Sequence, residues 1–122
     1  MYFCKYIKDF IHLSKLEKLE VLNLEYSYIS EISPLEKNKN IKELNLYKCW
    51  KIKKDTDYSF LAKLQKLEKL NLYNTNISDI SFLENNKNIK ELNLYNCWNI
   101  KDYSILSKLK SNHNRGIYYG DF

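Results

Sequence analysis

The sequence predicts an α/β solenoid in which short parallel strands stack side by side. One observation is a repeated pattern, seen for example as IKELNLYNCW at residues 89–98, that begins at residues 19, 41, 67 and 89. The steps of 22, 26 and 22 residues lie in the range that is typical of solenoid proteins. The other observation is that positions 1, 4 and 6 of each copy are Leu or Ile. Positions 4 and 6 alternate with polar residues, which is the period of a strand with one buried face.

The repeat length determines how neighbouring strands are connected. A unit of about 22 residues that holds one short strand must bring the chain back by a crossover, so successive strands run parallel. One unit cannot bury its apolar face alone, and stacking against the next unit completes the core. We therefore expect a single domain over residues 1–122, composed of a partial repeat at 1–18, full repeats at 19–40, 41–66, 67–88 and 89–110, and a C-terminal tail at 111–122.

The repeat pattern also extends to the first residues of the chain and to the segments between strands. Residues 7–16 match residues 100–109 at a constant offset of 93, so the chain starts within a repeat. Asp57-Tyr58-Ser59 predicts a helix start, and residues 60–64 predict a short helix on the convex side. The third repeat copies the first and the fourth copies the second, so the true period is a pair of unlike repeats. In the tail, Ile117-Tyr118-Tyr119 predicts a short additional strand after a turn at 112–116.

These segments resemble leucine-rich repeats. LEVLNLEYSYISEI at 19–32 and LEKLNLYNTNISDI at 67–80 are similar to the internalin-like 22-residue class. The repeats that contain Cys49 and Cys97 are similar to the cysteine-containing class of 26 residues, because the next apolar residue follows three positions later. The resemblance implies a right-handed horseshoe segment, with a parallel concave β-sheet and short helices or turns on the convex side. It implies little about function, since one fold serves many partners.

Position 9 of the repeats carries small residues that can donate a hydrogen bond: Cys4, Ser27, Cys49, Thr75 and Cys97. In leucine-rich repeats this residue points inward and satisfies backbone groups in the turn, so the resemblance implies a structural ladder. A metal or redox site is disfavoured, because Cys49 and Cys97 lie two strands apart, or about 10 Å. A disulfide requires Cα atoms within about 7 Å. Reduced cysteines, and the lack of a secretion signal or a membrane-length apolar run, predict a cytoplasmic protein.

The concave face is expected to carry columns of like residues. Position 5 is always Asn and position 7 is mostly Tyr, while positions 2 and 3 alternate in charge from strand to strand. Stacked amides, offset tyrosine rings and facing charges would stabilise the sheet. The same columns would also form a recognition surface, because Tyr and Trp are favoured at binding hot spots. The candidate binding residues are Tyr47, Tyr73, Tyr95, Asn45, Asn71, Asn93, Trp50 and Trp98, although both tryptophans would alternatively pack over the turns.

The functional prediction is a non-catalytic module that binds another protein or a peptide through the concave face. An enzyme is disfavoured, because neither His12 nor His113 has a catalytic partner at a recurring spacing, and no cofactor or metal motif occurs. Nucleic acid is disfavoured because the net charge of +5 is modest and the face alternates in sign. The alternatives are a structural or assembly element that associates through open solenoid ends, a fragment of a longer repeat protein, and, less favoured, a glycan-binding module.

Overall fold

The structure is a computed structural model that describes residues 2–3, 15–110 and 116–119, with side chains for residues 15–109. Six strands form one parallel sheet in chain order. The strands are β1 (Tyr2–Phe3), β2 (Val21–Asn23), β3 (Glu43–Asn45), β4 (Lys69–Asn71), β5 (Glu91–Leu94) and β6 (Gly116–Tyr119). The chain is thus a solenoid with one strand per repeat, as the period predicted.

The register aligns equivalent positions of every repeat. Leu44 pairs with Leu22 on one side and with Leu70 on the other, and Asn45 pairs with Asn23 and Asn71 in the same way. Because side chains alternate across a strand, this register places all the leucines of positions 4 and 6 on one face. Those of the four full repeats are at most 2% exposed. The other face carries the polar columns.

The convex side is made mainly of 3-10 helices, and the short helix predicted at residues 60–64 is one of them. They span Ser33–Lys37, Ser59–Lys63 and Ser81–Asn85, and each has five residues. Such short connections favour the tighter winding. A single α-helix within the described residues, α1 (Ile105–Lys110), follows the fourth strand of the full repeats.

Aspartates start three of these convex segments. Asp57 accepts a hydrogen bond from the backbone N–H of Ser59 at 2.8 Å, and Asp79 accepts one from Ser81 at 2.9 Å. Asp102 repeats the contact with Ser104. These backbone donors hold the pKa of each carboxyl below its ordinary value, because they stabilise the ionised form. The predicted role of Asp57 as a start signal is therefore seen, although the element that follows is a 3-10 helix.

The core is continuous through the four full repeats. Apolar residues from the strands, from the turns and from the convex segments form one buried cluster that includes Ile29, Leu61 and Leu83. The additional strand predicted at 117–119 is confirmed as β6, which pairs in parallel with β5. No helix within the described part of the chain is long and apolar enough to cross a membrane. The predictions made for Cys4, His12 and His113 fall outside the described residues.

Candidate binding surface

The asparagine column (Asn23, Asn45, Asn71 and Asn93) closes the end of each strand. The side-chain Oδ1 of Asn71 accepts a hydrogen bond at 2.9 Å from the backbone N–H of Tyr73, and the other three asparagines make the same contact two residues on. The expected ladder of bonds between neighbouring amides is therefore replaced by local turns. A backbone N–H can only donate, so this contact fixes which amide atom is oxygen. The contact leaves each Nδ2 as a donor that its own turn does not use.

The turn that follows each strand requires an unusual backbone conformation at position 8. Its residues have positive φ: 60° at Tyr26, 52° at Lys48 and 57° at both Asn74 and Asn96. Asparagine tolerates this left-handed region, whereas larger side chains adopt it at a cost of about 1 kcal/mol. The two residues that adopt it at this cost, Tyr26 and Lys48, occupy the same position in neighbouring repeats.

Tyrosines of position 7 form a tyrosine strip (Tyr47, Tyr73 and Tyr95) beside the asparagine column. The ring centroids of Tyr47 and Tyr73 are 4.6 Å apart, and those of Tyr73 and Tyr95 are 6.2 Å apart at an interplanar angle of 27°. These rings pack largely against one another, as the scaffolding interpretation predicted. Packing of this kind covers part of each ring face and leaves the ring edges and hydroxyls for other contacts. The Tyr73 hydroxyl accepts a bond from Asn96 Nδ2 at 3.3 Å and keeps its own proton to donate.

Two further residues extend the strip, and sequence reasoning missed both. The Tyr26 ring meets Tyr47 edge-on at 5.4 Å and Trp50 edge-on at 6.4 Å. The Lys48 ammonium lies over the rings of Tyr26 and Tyr47, at 5.7 and 5.4 Å from their centroids. The Tyr26 side chain beside it raises the pKa of the Tyr47 hydroxyl. Position 8 is Tyr, Lys, Asn and Asn in successive repeats, so it forms no uniform column that the sequence would reveal.

The tryptophans of position 10 are the most exposed large apolar residues of the described surface. Trp50 is 59% exposed and Trp98 is 74% exposed, so neither is covered by the turn it follows. The repeat between them has the smaller Asn76 at this position. Its amide donates to the Ile52 carbonyl and accepts from the Tyr58 hydroxyl, which holds it close to the body of the protein. The result is a gap between two exposed indoles.

A cavity of about 280 Å³ lies along the concave face. It crosses β2 to β5, and its floor is formed by residues of the same three strand positions, among them Asn45 and Asn71. Along its charged side, Lys69 lies between Glu43 at 3.5 Å and Glu91 at 3.9 Å. The neighbouring column adds the pairs Lys42–Glu20 and Lys90–Glu68, at 3.1 and 3.0 Å. The predicted alternation of charge thus gives cross-strand ion pairs and a nearly neutral face.

The small residues of position 9 lie beneath the turns. The thiol of Cys49 donates to the Leu24 carbonyl at 2.9 Å, and that of Cys97 donates to the Leu72 carbonyl at the same distance. Ser27 and Thr75 contact these sulfurs at 3.6 and 3.7 Å. Burial raises the pKa of both thiols, so they remain protonated donors. Residues 15–109 contain no group of three His, Cys, Asp or Glu that would hold a metal ion.

Comparison with known proteins identifies the architecture. No protein-family model matches the sequence, and no curated protein matches it. Among solved structures, an internalin (inlF) from Listeria monocytogenes is 27% identical, with a TM-score of 0.71 over 94% of this chain. The match covers 31% of that internalin, so the chain spans about a third of its length. Internalin C2 from the same organism is 18% identical, with a TM-score of 0.55 over 99% of this chain and 70% of its own, and supports the fold alone.

These neighbours agree with the parallel sheet, the short convex segments and the one-strand repeats described above. Internalin-like leucine-rich-repeat proteins are typically non-enzymatic, and their fold is commonly used to bind proteins. The chain is a leucine-rich-repeat protein.

Proposed function

We propose that this protein is a non-catalytic module that binds another protein or a peptide through its concave face. The observation that carries the proposal is the cavity along the concave face, whose asparagines are followed two residues later by the tyrosine strip. Tyr26 links this strip to the exposed indole of Trp50, and Trp98 is its equivalent in the fourth repeat. Aromatic residues of this kind dominate the energetics of protein interfaces. The residues proposed for binding are Tyr47, Tyr73, Tyr95, Asn45, Asn71, Asn93, Trp50 and Trp98.

The electrostatics of the face favour binding over chemistry. The carboxylates at positions 2 and 3 pair with lysines, and the Lys90 ammonium lowers the pKa of Glu68 by a hydrogen bond and by its charge. A general acid or base needs a pKa that is tuned toward neutral pH. The shift at Glu68 runs the other way and keeps that carboxylate ionised. The face therefore offers shape, aromatic surface and hydrogen-bond donors to a partner.

A displayed library of random peptides tests the proposal and does not require the partner to be identified first. The full chain is immobilised, binders are selected, and each is measured against a double variant, Tyr73→Ala with Tyr95→Ala. The matched control is Lys39→Ala with Lys63→Ala, since both lysines are exposed and lie at or just after the ends of convex 3-10 helices. We expect at least a tenfold loss of affinity in the tyrosine variant and no change in the control.

Folding of the tyrosine variant is checked by circular dichroism. Loss of the ring contacts costs about 1 kcal/mol per pair, which the buried leucine core tolerates. Binders that keep their affinity for the folded tyrosine variant, or a selection that yields no binder, would contradict the proposal.

A further inference from the structure

The two exposed indoles define a length along the sheet. Trp50 and Trp98 occupy the same position in the second and fourth repeats, and the intervening repeat contributes the small Asn76. Neighbouring parallel strands are separated by about 4.8 Å, so equivalent positions two strands apart are about 9.6 Å apart. A ligand that contacts both indoles and fills the gap must offer similar features at this interval.

Regular peptide conformations differ in how well they meet that interval. A β-strand repeats the same side every two residues, or about 6.8 Å. An α-helix repeats every 5.4 Å, so two turns cover about 10.8 Å. A polyproline II helix has three residues per turn and a rise of about 3.1 Å, which gives about 9.3 Å. The polyproline II helix therefore fits the two-strand interval best, with a mismatch of about 0.3 Å per turn.

The hydrogen-bonding groups of the face match the same ligand. In the asparagine column each Oδ1 is occupied by its own turn, and the Nδ2 groups of Asn45 and Asn71 make no hydrogen bond to any of residues 15–109. The indole N–H of each tryptophan is also a donor only. The surface is thus rich in donors. A proline-rich chain carries backbone carbonyls and lacks backbone N–H groups at its prolines, so it supplies acceptors without unpaired donors.

Charge also points to a neutral ligand. The charges beside the cavity are compensated within the sheet, where Lys69 lies between Glu43 and Glu91. Because these charges are compensated within the sheet, the face gives a charged partner little electrostatic attraction. A neutral chain of prolines needs no such attraction.

We infer that the concave face binds a proline-rich peptide in the polyproline II conformation, with successive turns of the peptide seated on Trp50 and Trp98. Aromatic-lined grooves with indole and hydroxyl donors are a known means of holding such helices, whose preformed shape limits the entropy lost on binding. The inference rests on the proposed function and names the chemical class of the peptide.

The test uses a fluorescein-labelled oligoproline peptide long enough for several turns, with the full chain titrated into it and anisotropy recorded. The comparison probes are a Gly-Ser peptide of equal length and a β-linked glucose oligosaccharide. The variants are Trp50→Ala, Trp98→Ala and the control Lys63→Ala. Trp50 and Trp98 are the two tryptophans of the protein, and both are exposed, so their emission gives an independent, label-free signal in the wild type.

We expect saturable binding of oligoproline, quenching or a shift of tryptophan emission, and at least a tenfold loss of affinity in each tryptophan variant. The Lys63→Ala variant should bind oligoproline as the wild type does. The Gly-Ser peptide should not bind. Absence of oligoproline binding, or equal affinity in all variants, would overturn the inference. Binding of the oligosaccharide in place of oligoproline would overturn it too and assign the face to glycans. If oligoproline fails while library peptides still require Tyr73 and Tyr95, the proposed function stands and this inference alone fails.

Discussion

Substitutions at Asn71 separate the structural and binding roles of the asparagine column. The Asn71→Ala variant leaves the half-buried N–H of Tyr73 without its acceptor at 2.9 Å. An amide that loses its partner costs about 1–3 kcal/mol, and partial access to water places this site near 1 kcal/mol. For a chain of this size, that loss lowers the midpoint of thermal unfolding by about 4 °C.

The Asn71→Asp variant keeps an acceptor oxygen in nearly the same place, so its stability at neutral pH should lie within about 0.5 kcal/mol of the wild type. Its carboxylate would accept a backbone N–H, as Asp79 does from Ser81, where the contact lowers the pKa. A lowered pKa in the folded state stabilises the fold above the unfolded pKa of about 3.9. The stability that Asn71→Asp gains over Asn71→Ala should therefore be lost as the pH falls through the lowered pKa of the new carboxyl in the folded state.

The same variant removes the Nδ2 donor, so it should bind oligoproline about tenfold more weakly while remaining folded. Guanidinium and thermal unfolding followed by circular dichroism measure stability, and anisotropy measures binding. Asn85→Ala, at an exposed asparagine of the convex side, is the control. The reasoning is refuted if Asn71→Ala is no less stable than Asn85→Ala, or if Asn71→Asp is as unstable as Asn71→Ala at neutral pH.

Three other changes test the rest of the structure. In a Cys4→Ser background, the folded chain should resist alkylation by iodoacetamide at about pH 8, because burial shields Cys49 and Cys97 and raises the pKa of both thiols. Rapid labelling seen by mass spectrometry would contradict this. Lys69→Glu places three carboxylates on adjacent strands, so urea unfolding should show a loss of about 1 kcal/mol at low salt that is largely removed at about 1 M salt; a loss independent of salt would argue against the ion pairs. Asn86→Asp replaces a 1%-exposed amide that donates to two carbonyls, so it should destabilise by about 2 kcal/mol or more; an unchanged urea midpoint would show that these contacts are dispensable.

The strands and their register were predictable because one simple rule governs them. Alternation around Leu44 identifies a strand, and the matching alternation around Leu70 requires the two to pair in register. The hydrogen bonding at the ends of the strands was harder to predict from the sequence. Nothing in the sequence shows that the oxygen of Asn45 would serve its own turn, since an amide can equally bond along a column.

The contribution of Tyr26 illustrates a different limit. Its position holds Tyr, Lys, Asn and Asn in successive repeats, so no periodic signal marks it. Its importance comes from a contact between repeats, with Trp50 of the following one. The short convex helix was predictable but its type was not, because the residue pattern at 59–63 suits either helix type and the short connection selects the 3-10 form.

Because unlike repeats alternate in pairs, the smallest block that repeats the whole surface is one pair. Residues 41–88 form one complete pair of 48 residues, which starts with the cysteine-containing repeat and ends with the internalin-like one. Duplicating this block in frame would add a third indole at the same interval. The number of peptide turns that can be held would then rise by one with each added block. The affinity for a long proline-rich chain would therefore increase stepwise with the number of repeat pairs, because linked subsites would be occupied simultaneously.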